Sequence, residues 1–191
     1  MTVPIVDPYD MAVASRLPVT AVDWRCRADR AVLLIHDMRD DVISSFVPGR
    51  SPVVELVHNL TQLRDTCREL RVPVLYSARS SSLGSTIAAV APGPGDTIVG
   101  EECDRHYALL RDILDSYGRD QLLVTGVRAH VACLMAAAGS HLAGIEMFSV
   151  ADATADLSLD DHQNAVLGAA EYGAMVTNTS RVIGQLLGVL G

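Results

Sequence analysis

Six short apolar runs, interleaved with longer segments of helical periodicity, constrain this 191-residue chain more than any other feature of its sequence. The runs are Ala31–Ile35, Val72–Ser77, Thr97–Val99, Gln121–Thr125, Ile145–Val150 and Ala174–Val176, each short enough for a strand buried on both faces. Apolar residues recur at helical spacing over Pro52–Leu70, Arg105–Tyr117, His130–Ala143, Leu159–Tyr172 and Ser180–Leu190. The punctuation agrees: Ser51 precedes Pro52, as an N-cap precedes a first-turn proline. Ser158 with Asp161 resembles a capping box, and Gly118 and Gly173 stand where helices end. Strands alternating with helices are joined by right-handed crossovers, which makes the sheet parallel and covers both its faces. The expected fold is therefore α/β, a three-layer α/β/α sandwich with a mainly parallel central sheet. No repeat, low-complexity tract or linker interrupts the pattern. Residues 1–191 are expected to form a single domain, with the proline-punctuated residues 1–30 as an arm packed on it.

Open α/β sheets keep their ligands at the carboxyl ends of the strands. The run AVLLIHDM (Ala31–Met38) ends abruptly in His36 and Asp37, so it delivers a carboxylate to that edge. The same edge is expected to gather Arg79, the Gly100–Cys103 segment, Arg128, His130, Asp152 and Asp156. Carboxylates, a histidine and arginines around one pocket suit a small anionic substrate. A formal net charge of −8 argues against a nucleic-acid or anionic-membrane surface. No apolar run approaches the roughly 18 residues that span a bilayer. The start, MTVPIVDPYD, lacks the basic and apolar regions of a secretory leader, so a cytoplasmic protein is expected. The four cysteines, Cys26, Cys67, Cys103 and Cys133, show no zinc-ligand spacing; free, buried thiols and no metal or other cofactor are expected.

Three segments in order, AVLLIHDM, VTGVRAHVACLMAAA (Val124–Ala138) and VADATADLS (Val150–Ser158), resemble the isochorismatase family. The arm, through Pro8–Met11, Leu17-Pro18 and Val22–Trp24, is similar to that of the isochorismatases of siderophore and phenazine biosynthesis. The resemblance implies a Rossmann-like isochorismatase-type hydrolase fold, commonly dimeric. In the cysteine-hydrolase branch, an Asp-Lys-Cys triad cleaves amides. In the isochorismatase branch, an aspartate with a lysine nearby protonates the vinyl ether of isochorismate, and water completes the cleavage to pyruvate and a dihydroxy-cyclohexadiene carboxylate. Carried over by position, Asp37 is the acid and His130 is the histidine that follows the strand, with Arg128 in place of a tyrosine. The nucleophile position falls on Ala132, with Cys133 next along. The segment GDTIVGE (Gly95–Glu101) places Glu101 at the lysine, and Arg79 stands at a glutamine. The stretch between Arg79 and Asp96 is shorter than usual. All 15 basic residues of the chain are arginine, so no lysine is available from elsewhere.

The expected site follows. Asp37 and Glu101 are the catalytic pair, since two neighbouring carboxylates can hold one proton between them, as general-acid chemistry requires. Arg79 and Arg128 are candidate anion clamps, with His130 and Ala132 lining the substrate pocket. Cys133 sits among apolar neighbours and reads as structural. His36 packs or orients its neighbour, Asp156 reads as helix entry, and Tyr76 and His106 are pocket neighbours. The family resemblance also implies a non-proline cis peptide near Val127–Arg128. The expected activity is that of an isochorismatase-like hydrolase or lyase of the non-cysteine branch. It would cleave a vinyl ether or related bond of a small carboxylated metabolite in a specialised biosynthetic pathway, with substrate or reaction altered from ordinary isochorismatase, and act as a homodimer. The alternative is a non-catalytic homologue that binds a ligand or a protein partner.

Overall fold

The computed structural model describes residues 5–77, 86–99, 107–130, 139–140 and 143–189. Strands β1 (Ala31–His36), β2 (Val74–Ser77), β3 (Thr97–Val99), β4 (Gln121–Val127), β5 (Glu146–Ala155) and β6 (Met175–Thr177) form one sheet in the order β3-β2-β1-β4-β5-β6. Every ladder in it is parallel. The helices are α1 (Met11–Ala14), α2 (Asp40–Ile43), α3 (Val53–Glu69), α4 (Tyr107–Ser116), α5 (Leu159–Glu171) and α6 (Thr179–Leu186). The expected helix His130–Ala143 lies mostly outside the described residues; its described ends are helical.

All six residues of β1 are buried, and their alternation builds two cores. Leu33 and Ile35 join Leu56, Leu60 and Leu63 of α3 on one face. Val32 and Leu34 join Leu114 of α4 with Val166 and Ala169 of α5 on the other. The buried positions of α3, at Val53, Leu56, Leu60, Leu63 and Cys67, repeat every three or four residues, which gives one continuous apolar stripe. The arm belongs to the first of these cores: Val6, Tyr9, Met11 and Cys26 are buried in it. At the opposite end of the strands from the candidate site, the fully buried Gln121 accepts from Arg27 N–H and donates to the Arg25 carbonyl, fastening the arm to β4.

Three local expectations are revised. Ser51 does not cap α3; its hydroxyl accepts from Met11 N–H at 3.0 Å, and Pro52 occupies the cap position with no side-chain bond. The Ser51-Pro52 peptide is cis, whereas Val127–Arg128 is not, and the constraint at that turn is instead a left-handed Arg128 (φ 64°). β5 runs well past Val150, because a register shift between Val124 and Gly126 lets Thr154 and Ala155 pair with Gly126 and Val127. The capping box at Ser158 forms as expected: its hydroxyl accepts from Asp161 N–H at 3.1 Å and donates to the Asp161 carboxylate at 2.7 Å.

Candidate active site

The strand order reverses between β1 and β4, and in an open parallel sheet that switch point opens a crevice at the carboxyl ends of the two strands. Asp37 directly follows β1 and Arg128 directly follows β4, with His36 opposite Gly126. Both Asp37 (φ 49°) and Arg128 (φ 64°) are left-handed, a conformation that costs a non-glycine residue about 1 kcal/mol and turns each side chain out of the ladder. Gly126 makes the approach possible. A Cβ there would lie 2.0 Å from the His36 carbonyl oxygen and 2.7 Å from its nitrogen, and its own φ is 110°.

Asp37 has no exposed surface. Its N–H extends the ladder by donating to the Ser77 carbonyl at 2.8 Å. Its Oδ1 accepts from Arg39 Nε at 2.8 Å, while Oδ2 lies 3.6 Å from Arg128 Nε, too far for a hydrogen bond. Neither Oδ2 nor Arg128 Nε has another hydrogen-bond partner among the described residues. The two guanidinium groups differ in freedom. Arg39 is 11% exposed and also reaches the Asp41 carboxylate at 3.4 Å, whereas Arg128 is 23% exposed with its Nε uncommitted. Arg39 thus anchors the carboxylate, and Arg128 stands at ion-pair distance from its other oxygen with no hydrogen bond from Nε among the described residues. His36 is buried and its Nδ1 lies 2.8 Å from the Ser77 hydroxyl, so it braces β1 against β2 as expected of an orienting residue.

A second cluster stands beside Arg128. His130 directs both its backbone N–H and its ring Nδ1 to Asp156 Oδ2, each at 2.7 Å, and Asp156 has no exposed surface. Asp156 Oδ1 accepts from Leu157 N–H at 2.8 Å, so the helix-entry role is real but is shared with the hold on His130. Behind it, the Tyr9 hydroxyl accepts from Asp156 N–H and donates to the Asp156 carbonyl, both at 3.0 Å, and lies 3.2 Å from His162 Nδ1. Burial pushes the Tyr9 phenol above its ordinary range and holds the His162 imidazole below its own. The buried, neutral His162 donates from Nε2 to the Ala151 carbonyl at 3.0 Å.

This carries a stability consequence with a definite sign. A histidine held low in the folded state takes up a proton more readily when unfolded. Its contribution is complete above the ordinary value of about 6.5 and is lost as pH falls below it, by at most about 1.4 kcal/mol per pH unit. Urea midpoints measured from pH 7.5 down to 5.5 should therefore fall, and His162→Asn should flatten that slope. An equally steep slope in the variant would remove His162 as its source.

Of the remaining sequence candidates, Asp152 serves the scaffold: Oδ1 accepts from Thr179 N–H at 2.7 Å and its hydroxyl at 2.8 Å, tying β5 to α6. Tyr76 is buried, which pushes its phenol up to about 12, and burial pushes the free Cys26 thiol to about 12 and raises that of Cys67 as well. Arg79, Glu101, Ala132, Cys103, His106 and Cys133 lie outside the described residues. The residue that sequence reasoning missed is Arg39. Its only signal is its place two residues after Asp37, which reads as a solvated charge unless the turn at Asp37 is known. Among the described residues, no helix is long and apolar enough to cross a membrane, and no group of three His, Cys, Asp or Glu is arranged to hold a metal ion.

Residues 31–181 match the isochorismatase domain family. The chain is 35% identical to an isochorismatase of Bacillus subtilis over 210 aligned positions, covering 97% of this chain and 67% of that protein. It is 30% identical to the phenazine biosynthesis protein PhzD of Pseudomonas fluorescens, covering 95% of this chain and 98% of that one. The first alignment is longer than the chain's own 191 residues, so the relative carries residues that this chain lacks. Among solved structures, an isochorismatase from Pseudomonas putida superposes with a TM-score of 0.71 at 20% identity, over 86% of this chain and 98% of the other.

Proposed function

Because the chain belongs to the isochorismatase family, we propose that it is an isochorismatase-like hydrolase or lyase that cleaves a vinyl ether, or a closely related bond, in a small carboxylated metabolite. The observation that carries this reading is the buried Asp37 held between Arg39 and Arg128 at the switch point of the sheet. The reaction needs a proton for the methylene carbon and no covalent nucleophile. Asp37 Oδ1 is committed to Arg39, so Oδ2 is the oxygen that holds and delivers the proton. A substrate carboxylate takes Arg128 as its counter-ion, which draws that cation away from Oδ2 and seats the reacting carbon beside it. Arg79 is a second clamp and Glu101 a second carboxylate of the same pocket in this proposal, with Ala132 lining it. A site whose only fixed cations are guanidinium groups differs from one built around a lysine ammonium, and it favours an altered substrate or reaction within specialised biosynthesis. The working form in this reading is a cytoplasmic homodimer.

The test is incubation with isochorismate and related enol ethers, following pyruvate release, for the wild type and Asp37→Asn. Arg128→Gly separates clamp from scaffold. It removes the guanidinium but suits the left-handed backbone, so KM should rise by about 10-fold or more while the urea midpoint holds or rises. An unchanged KM would take Arg128 out of substrate binding. The second reading, a non-catalytic binding protein, draws on the same burial of Asp37, since a carboxylate enclosed by two arginines also fits a purely structural ion pair. Absence of turnover with every enol ether, together with retained binding of the intact compounds, would favour it.

A further inference from the structure

The cleavage proposed above moves two protons, one onto the methylene carbon and one off the attacking water, and the second need not pass through Asp37. Resting on that reading, we propose that His130, oriented by Asp156, is the base that takes the proton from the attacking water. The observations are geometric. His130 follows Arg128 by two residues at the end of β4, at the edge where Arg128 faces Asp37. Its ring Nδ1 and its own backbone N–H both meet one oxygen of a carboxylate that has no exposed surface. A carboxylate can only accept there, so Nδ1 carries the hydrogen, and in the neutral ring the lone pair is on Nε2. Nε2 makes no hydrogen bond to any described residue, and the side chain is 41% exposed, open to a water molecule. A buried aspartate that fixes the tautomer and orientation of a partly open imidazole is the arrangement by which enzymes prepare a general base. A histidine needed only for packing would not require an aspartate enclosed behind it and held in turn by Tyr9.

The step balances. The proton on Asp37 Oδ2 passes to the methylene carbon, forming a C–H bond and leaving an oxocarbenium ion at the ether carbon. Water adds to that carbon, forming a C–O bond, and its released proton goes to His130 Nε2. The hemiketal then collapses. The bond to the ring oxygen breaks, that oxygen takes the proton from the His130 imidazolium, and the hemiketal hydroxyl returns its proton to Asp37. The products are the alcohol and pyruvate, and both residues regain their starting states. Among the described residues, the charged and titratable groups facing His130 are Asp156 from the end of β5 and, through Asp156, Tyr9 of the arm and His162 of α5; Arg128 follows the same strand, and Asp37 follows the neighbouring β1.

The experiment uses the full chain and pairs a kinetic with a substrate-free readout. With isochorismate, His130→Gln should lower kcat by about 100-fold with little change in KM. Asp156→Asn should lower kcat while shifting the His130 ring in nitrogen-15 NMR away from the Nδ1–H tautomer. In the wild type without substrate, that spectrum should show the His130 ring with hydrogen on Nδ1. A kcat for His130→Gln within about threefold of wild type, with pyruvate still released by the wild type, would overturn the role of His130 and leave the cleavage reading standing. An Nε2–H tautomer in the wild type would overturn it independently of any substrate. No pyruvate release by the wild type would overturn the cleavage reading itself, and this inference with it.

Discussion

Gly126→Ala should be the most damaging single-methyl change in this protein, leaving little folded material. The added Cβ would lie 2.0 Å from the His36 carbonyl oxygen and 2.8 Å from its carbonyl carbon, both backbone atoms of the central strand that cannot swing aside. β1 and β4 would have to part at the register where His36 faces Gly126. The φ of 110° adds backbone strain of its own. A loss of about 4 kcal/mol or more is expected, a large share of the roughly 5–15 kcal/mol that stabilises an ordinary domain. Gly144→Ala is the control, because its φ is 67° but nothing lies within 4 Å of the added Cβ. It should cost only about 1 kcal/mol. Urea midpoints and soluble yields of the two variants decide the matter: equal stability would show that the β1–β4 approach tolerates a side chain. Because Asp37 and Arg128 directly follow the two strands, any folded Gly126→Ala should also lose activity.

The second large effect is expected at Asp37. The substitution Asp37→Asn keeps an oxygen for Arg39 Nε at the position of Oδ1, and asparagine tolerates the left-handed backbone that Asp37 adopts. A side-chain amide cannot carry a transferable proton. For Asp37→Asn, pyruvate release should therefore fall by about 10²- to 10⁴-fold while the protein remains folded. Asp37→Ala is a different experiment. It leaves the Arg39 guanidinium, only 11% exposed, without its main partner, and stability should fall by about 3 kcal/mol or more. Turnover undiminished in Asp37→Asn would remove Asp37 from the mechanism. Activity lost in both variants, with folding lost only in the alanine, would separate its chemical role from its structural one.

The fold was legible in the sequence because its signals are local. Six apolar runs and their helical neighbours each carry their own periodicity, and the caps at Ser158, Gly118 and Gly173 are set by residues within one turn of the helix end. What escaped is non-local. The second half of β5, residues 151–155, reads ADATA and has little strand character of its own; it is extended because the shifted register offers it the end of β4. Arg39 escaped for a related reason. Nothing in DMRD says that the chain turns at Asp37, so a buried anchor looked like one of several surface charges. Asp156 was read from the helix it precedes, and its stronger partner, His130, lies beyond the end of another strand. Asp37 itself was identifiable from its place at the end of a buried run, and Arg128 from its place after Gly126.

The position of β1 in the sheet also governs when the site comes into being as the chain is made. Both of its ladders run to strands synthesised later, β2 on one side and β4 on the other. A nascent chain halted before Gln121 carries a strand that is apolar from Ala31 to Ile35 with one open hydrogen-bonding edge, the kind of edge on which amyloid-like or intermolecular pairing starts. It holds Asp37 with Arg39 alone, because Arg128 does not yet exist. Docking of β4 therefore closes the most hazardous edge of the growing protein and completes its charge cluster in one event, so that a chain with a finished site is also a chain past its period of greatest exposure.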